Sequence, residues 1–405
     1  MVHSVLRKNG YQPDGNQCLS GMINPAKQIC SRCIYDNQTS RISFDDEGVC
    51  NYCKMSDDLK EQYNTGTPEG ERALSILIET IKKEGKQKKY DCVVGVSGGT
   101  DSSYTLAKAV EWGLRPLAVH FDNTWNTAIA TENIKALTQK LNVDLFTYVV
   151  NNKEMDDITR SFFYAGVPEL DCPTDIALAE TLYRAAAKFK VKYIIEGHSF
   201  IAEGVSPMGT NYFDGKYIKD IHKKFGKTRM KTFPNMSFIS FIKWVAVKRI
   251  KKIRPLWYIN YSKEEAKKYL QSQFEWKDYG GHHLENRLSA FTYSIYKPQK
   301  FAVDDRNWSL AAAARNGLMN REAALKIYQT PIKEDTILED YFIKRTGLEK
   351  LAYQKIMAGE RKNYKQYATY KKRFELLRPF FYRLAKANLV PMSFYIKYTS
   401  PTEGA

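Results

Sequence analysis

No run of about 18 apolar residues occurs anywhere in this chain, which argues against a membrane-spanning helix. A mean hydropathy of −0.49 points the same way. The opening residues, Met1-Val2-His3-Ser4-Val5-Leu6-Arg7, lack the apolar segment of a secretory signal, so a soluble cytoplasmic protein is expected. Acidic residues are also in short supply. Asp+Glu number 45 against 62 Lys+Arg, for a formal net charge of +17. The 405 residues are 43% hydrophobic and 26% charged, ordinary globular values that exclude disorder as the dominant state. That length suits two or three domains.

A basic balance invites nucleic acid, acidic membrane surfaces or small anions as partners, and composition alone does not separate them. The charge is unevenly placed. Residues 216–254 hold thirteen Lys/Arg and one acid, Asp220, and residues 355–386 hold ten Lys/Arg and two Glu. The excess therefore lies in the second half, where the stretch 238–250, with Phe241, Trp244, Val245 and Lys248, reads as a helix. It presents either a solvated basic face or a surface for an anionic partner such as an acidic membrane.

Cysteine is sparse, yet four of the seven stand in two pairs, Cys30-Ser31-Arg32-Cys33 and Cys50-Asn51-Tyr52-Cys53, sixteen residues apart. Two residues between thiolates let one tight turn offer both sulfurs to a tetrahedral ion. The turn at Asp45-Asp46-Glu47-Gly48 returns the second pair to the first. Disulfides are disfavoured in a reducing compartment, and an iron–sulfur cluster would need more exposure to redox partners. The expectation is a structural Zn2+ held by Cys30, Cys33, Cys50 and Cys53, with no coordination position left open for catalysis. Cys92 falls in an apolar strand and reads as core, while Cys18 and Cys172 stand apart.

The chemistry-bearing segment begins at residue 92. Residues 92–96 form a short apolar run, as in a buried parallel strand, and 102–112 follow as a helix closed by Gly113. Between them lies Ser97-Gly98-Gly99-Thr100-Asp101-Ser102-Ser103. Two glycines allow close backbone approach to a phosphate, and successive N–H groups at a helix N-terminus make an anion nest. Asp101 would repel a bare phosphate, which points to Mg2+ shared with it. No Lys follows the glycines, so this is not the G-x4-G-K-[ST] loop.

The segment resembles the PP-loop, the SGGxDS signature of ATP pyrophosphatases. That resemblance implies cleavage of ATP between its α and β phosphates, with adenylation of a carbonyl oxygen. The fold expected is α/β, a doubly wound parallel sheet of the PP-loop/HUP-like kind. Further strands are read at 115–123, 144–150 and 191–195, and helices at 127–141 and 174–189. Polar groups at strand ends mark the ligand crevice: Asp122 and Asn123 near the adenosine, then Glu196, Gly197 and His198. Glu196 either binds metal, positions substrate or caps the next turn. His120 reads as a satisfied core histidine. Cys172 is a weak candidate for a sulfur-transfer nucleophile.

The order of motifs narrows the family. CSRCIYDNQTSRISFDDEGVCNYC, VVGVSGGTDSSYTL, LAVHFDNTWN, CPTDIA and EGHSFIAEG follow one another, with IRPL, EWKDYGG and NREAAL beyond them. This series resembles the N-acetyl sugar amidotransferases of lipopolysaccharide O-antigen and pseudaminic-type sugar pathways over most of residues 28–325. His282-His283-Leu284-Glu285 departs from the Lys-containing wording of that family, which bears on the identity of the sugar. The resemblance implies conversion of an acetamido to an acetamidino group, with ATP and Mg2+ as cofactors and Ser97, Asp101 and Glu196 as catalytic residues. Nucleotide contacts are expected from residues 97–103, Asp122, Asn123, Gly197, His198 and Arg254. The partners implied are an anionic acetamido sugar and separate glutaminase or ammonia-channelling subunits, with peripheral membrane contact as a further candidate and nucleic acid not expected. A tRNA-modifying PP-loop enzyme, of thiolation or lysidine type, is the alternative. Three regions are expected: a zinc knuckle over 1–60, the nucleotide domain over 61–260 and a mostly helical substrate or partner region over 261–405. The tail 400–405 is expected to be disordered.

Overall fold

The computed structural model describes residues 28–207, 211–281, 284–333, 335–387, 389, 390 and 392–401. Cys18, the His282-His283 pair and the last four residues of the tail lie outside them. Five short parallel strands form the centre: β1 Cys92–Gly95, β2 Pro116–Asp122, β3 Leu145–Val149, β4 Tyr193–Ile195 and β5 Lys251–Ile253, in the order β3-β2-β1-β4-β5. Val93 pairs with Leu117 on one side and with Ile194 on the other. The chain builds outward from β1 to β3 and then returns to lay β4 on the opposite side. The crevice beyond the carboxyl ends of β1 and β4 is therefore the position where such sheets take ligands.

Both faces of the central strands β1 and β4 are covered, as their continuous apolar runs require. Cys92, Val94 and Ile195 join a core with Leu106 of the helix Thr100–Glu111 and with Ile78 and Ile81 of the helix Pro68–Gly85. Val93, Leu117, Val119 and Ile194 join the other core, with Leu182, Ala185 and Ala186 of the helix Cys172–Lys188. The period of two along β1 thus assigns alternate side chains to different cores. Local signals set the helix starts. Thr67 accepts from the Gly70 N–H ahead of Pro68, and Thr127 accepts from the Ala130 N–H.

The second half is largely helical, and its aromatic side chains weld it to the sheet layer. Phe291 stacks on Phe342 with ring centroids 3.8 Å apart, and Phe163, in the helix Asn152–Ala165, meets both. The helix expected over 238–250 is present as Phe238–Ile242, widening to a π-helical turn at Lys243–Val247. Ser400 and Pro401, expected to be disordered, are held instead. Lys371 Nζ donates to the Ser400 carbonyl (2.5 Å) and Arg41 donates to that of Pro401 (2.8 Å). Among the described residues no helix is long and apolar enough to cross a membrane.

Candidate active site and metal centre

The turn after β1 is shaped by its glycines. Gly98 has φ +81°, and a Cβ there would lie 2.3 Å from the Ala130 carbonyl oxygen, so no other residue fits without displacing backbone. The serines brace the loop. The Ser97 N–H donates to Ser102 Oγ, Ser102 Oγ donates to the Gly99 carbonyl, and the Gly99 N–H donates to Ser97 Oγ, each at 3.2 Å. Ser103 and Thr100 are buried beneath the loop. The Thr100 N–H, first in its helix, donates to the Tyr279 hydroxyl at 3.1 Å. Trp276 Nε1 and Asn133 Nδ2 both donate to the Gly98 carbonyl. An anion entering the nest meets a helix N-terminus whose leading N–H now rests on a tyrosine.

Asp101 points into a cleft of about 740 Å³ that runs along the carboxyl ends of the strands. Its carboxylate accepts from the Tyr261 hydroxyl and pairs with Lys263 Nζ at 2.9 Å; the same Nζ lies 3.9 Å from Glu203. Burial alone would raise the Asp101 carboxyl, but Lys263 and Tyr261 outweigh it and hold it below its ordinary range.

Glu196 follows the end of β4, the strand beside β1. Its two oxygens meet Lys252 Nζ at 2.5 Å and Arg254 Nε at 3.2 Å. Burial opposes ionisation, yet the two cations hold the carboxyl down at about 2. The Arg254 guanidinium also lies over the Trp257 ring. Trp257 Nε1 donates to His198 Nδ1 at 3.3 Å, and burial with the nearby Arg254 keeps the His198 ring neutral. Gly197 is required because a Cβ would stand 2.7 Å from the Asp101 carbonyl oxygen.

The β2 end is more structural. His120 is buried, with Nδ1 2.8 Å from the Val96 carbonyl and Nε2 2.9 Å from Asn126 Nδ2, the satisfied core histidine that was expected. Asn123 donates to Thr174 Oγ1 and accepts from the Trp125 N–H and Asn286 Nδ2. Asp122 accepts from the Thr124 N–H and so caps its own turn. Ser97, Gly99, Thr100, Asp101, Ser102, Asn123, Glu196, Gly197, His198 and Arg254 all line the cleft. Gly98, Ser103 and Asp122 do not line it. Cys172 is buried at the start of its helix, its thiol pushed well up by burial. Lys263, Tyr261, Glu203, Lys252 and Tyr279 were not foreseen. Glu203 and Tyr279 fall inside the EGHSFIAEG and EWKDYGG segments without being singled out there, and Lys263, Tyr261 and Lys252 reach the site by tertiary packing with no local mark.

Away from this cleft, the sulfurs of Cys30, Cys33, Cys50 and Cys53 lie within 4.8 Å of one another, all fully buried. Three of the separations are 3.6, 3.7 and 3.8 Å. A tetrahedron with metal–sulfur bonds of about 2.3 Å has edges of about 3.8 Å, so the four thiols suit one ion. The cysteines of a multi-iron cluster bind different irons and stand farther apart. Residues from the C-terminal half hold the knuckle. Arg321 donates to the carbonyls of Cys30 and Cys33, Arg315 reaches Cys33 Sγ at 3.6 Å, and Leu310, Ala311 and Ala324 share its core. The NREAAL motif is thus part of the metal centre's support.

Residues 285–380 match the family model described as "LPS biosynthesis protein WbpG-like, C-terminal domain". No curated protein matches the chain. Among solved structures, NMN synthetase from Francisella tularensis is 13% identical, covering 55% of this chain and 92% of that one, at a TM-score of 0.26. The NH3-dependent NAD synthetase from Campylobacter jejuni is 14% identical over 68% of this chain and 93% of its own, at 0.30. The U34-tRNA thiolase NcsA from Methanococcus maripaludis, solved with a [4Fe-4S] cluster, is 12% identical over 81% of this chain and 100% of its own, at 0.28. Likenesses this slight say nothing about activity.

Proposed function

We propose that this chain is an ATP-dependent, AMP- and pyrophosphate-forming amidotransferase that turns the acetamido group of a sugar into an acetamidino group in surface-polysaccharide biosynthesis. The observation that carries the reading is that the glycine-braced turn at residues 97–103 and two ion-paired carboxylates, Asp101 and Glu196, line one cleft. The match of residues 285–380 to a lipopolysaccharide-biosynthesis domain supports the sugar side.

An amide is a poor electrophile whose oxygen leaves badly. Attack of the acetamido oxygen on the α-phosphorus of ATP forms a P–O bond and breaks the bridge to the β-phosphate, releasing pyrophosphate. Ammonia then adds to the imidate carbon, AMP departs with the former amide oxygen, and a proton is lost to give the amidine. The chain's part is positioning and charge stabilisation. The nest at 97–103 receives the pyrophosphate, with Lys263 beside it to offset developing negative charge. Arg254 and Lys252, held by Glu196, add positive charge to the cleft from the β5 end. Asp101 and Glu203 form an all-oxygen donor set suited to a hard cation, and Lys263 occupies that place in the present arrangement. Mg2+ held there would neutralise the phosphate oxygens. Ammonia comes from a separate glutaminase subunit.

Zn2+ in the four-cysteine knuckle is structural. All four ligands are protein thiolates, which leaves no position for substrate. A thiolation reading is not favoured, because the described cysteine outside knuckle and strand, Cys172, is a buried thiol held protonated. The test supplies ATP, Mg2+, ammonium and an acetamido sugar nucleotide or lipid-linked sugar. AMP and pyrophosphate are expected; ADP would overturn the proposal.

A further inference from the structure

The outer side of the C-terminal layer carries an unusual combination of groups. In the helix beginning at Phe238, Ile239, Lys243 and Val247 are spaced four apart and so fall along one side. Ile239 is 80% and Val247 72% exposed. Lys248 and Arg249 follow, also exposed, and no acidic residue occurs from Phe238 to Arg254. The adjoining helices Lys371–Leu376 and Arg378–Lys386 present Leu376, 81% exposed, together with Phe380, Lys372, Arg373, Arg383 and Lys386. The one acid there, Glu375, is paired with Lys371 at 3.5 Å. The two elements meet directly, since the Phe238 ring touches those of Tyr370 and Phe374.

Aliphatic tips at 72–81% exposure serve no phosphate backbone and are more exposed than the aromatics of the face, Phe380 at 43% and Tyr382 at 44%, whereas ssRNA-binding surfaces rely on aromatic stacking platforms. Lys/Arg interspersed with Ile, Val, Leu and Phe, without free acids, is the pattern that sits in the headgroup region of an anionic bilayer. The inner side of the Phe238 helix joins the helix Met392–Thr399 in walling an apolar arm of the cleft, where Phe241 stacks on Phe394 at 4.8 Å and Met236 and Ile396 also line it.

We propose that residues 238–249 and 372–386 form a docking face for an anionic lipid bilayer, which brings the apolar arm of the cleft to a substrate carried on a membrane lipid. The second clause rests on the amidating reading; the docking does not. The experiment uses the full-length protein with vesicles of phosphatidylcholine alone or with about 30% phosphatidylglycerol, and a short RNA as competitor. Co-sedimentation with the anionic vesicles is expected, falling steeply with salt. It should weaken roughly tenfold or more in an I239E/V247E/L376E variant whose thermal melt is unchanged. Equal binding to both vesicle types, no binding, or displacement by RNA at low concentration would overturn the docking face. AMP release is then compared between N-acetylglucosamine on a prenyl diphosphate in these vesicles and on UDP in solution. Preference for the prenyl form, lost in the variant, supports delivery; preference for the UDP form, unaffected by the variant, overturns it. Vesicle binding with AMP from neither sugar overturns the amidating reading and leaves the docking face standing.

Discussion

Lys263 Nζ lies 2.9 Å from Asp101 Oδ2 although the two residues are 162 positions apart in the chain. One ammonium thereby neutralises the only carboxylate of the Gly-rich turn before any phosphate arrives. Asp101→Asn and Lys263→Met should each lower the rate of AMP formation about a hundredfold, the usual cost of losing one stabilising group at a site of developing charge. A pyrophosphate-release assay over a magnesium titration separates the two. The Asp101 variant should need more magnesium for its residual rate, whereas the Lys263 variant should not. Wild-type rates in either would remove this turn from the chemistry.

Glu196 gives the protein an acid-sensitive wall. Its carboxyl falls from an ordinary value of 4.5 to about 2 on folding, because Lys252 and Arg254 favour the ionised form more than burial disfavours it. Stability from this group is therefore complete above about pH 4.5 and is lost as the pH falls towards 2. Its size is about 3 kcal/mol at most. Urea midpoints between pH 5 and pH 3 should drop less steeply in Glu196→Gln than in the parent, and parallel slopes would contradict the assignment.

Gly98→Ala places a methyl group against the Ala130 carbonyl at a left-handed φ. The expected cost is at least about 2 kcal/mol, since strain and clash add. Nucleotide binding should be lost with it, because relieving the clash moves the nest. Differential scanning calorimetry and equilibrium ATP binding measure the two effects, and an unchanged melting temperature would refute the close approach.

The metal centre should hold about one zinc per chain, and Cys50→Ser should abolish it with a marked fall in melting temperature. Arg321→Ala is the subtler variant. It removes the donors to the Cys30 and Cys33 carbonyls but no ligand, so metal should still bind and leave to a chelator about tenfold faster. Elemental analysis and competition with a chromophoric chelator report these outcomes.

The parts of the site that could be read from the chain are those whose chemistry is local. Residues 97–103 carry the glycines, the hydroxyls and the helix start in seven consecutive positions, and each cysteine pair spans four. Lys263 and Tyr261 reach Asp101 only because the sheet and its covering helices fold, with nothing in their own neighbourhoods to mark them, and the EWKDYGG segment gave no sign that its Tyr279 would meet Thr100. β5 escaped notice for a related reason. Lys251-Lys252-Ile253 is too short and too charged to show a strand's alternation, and it is only partly buried. Counting charge over 216–254 also left Lys252 among the undistinguished cations of that stretch, whereas Glu196 draws it inward beside Arg254.

The clamp on the knuckle bears on where this protein may be cut. A recurring unit that opens at residue 285 contains Arg315, Arg321, Leu310 and Ala324, whose partners sit near residues 30–53. Its boundary records where a sequence recurs among proteins, not where this chain can be separated. Expressed alone, residues 285–380 would carry half of a packed interface and two arginines facing nothing, and the knuckle alone would lack its floor. Residues 30–53 and 308–328 share one packed cluster, with the parallel sheet lying between them in the chain.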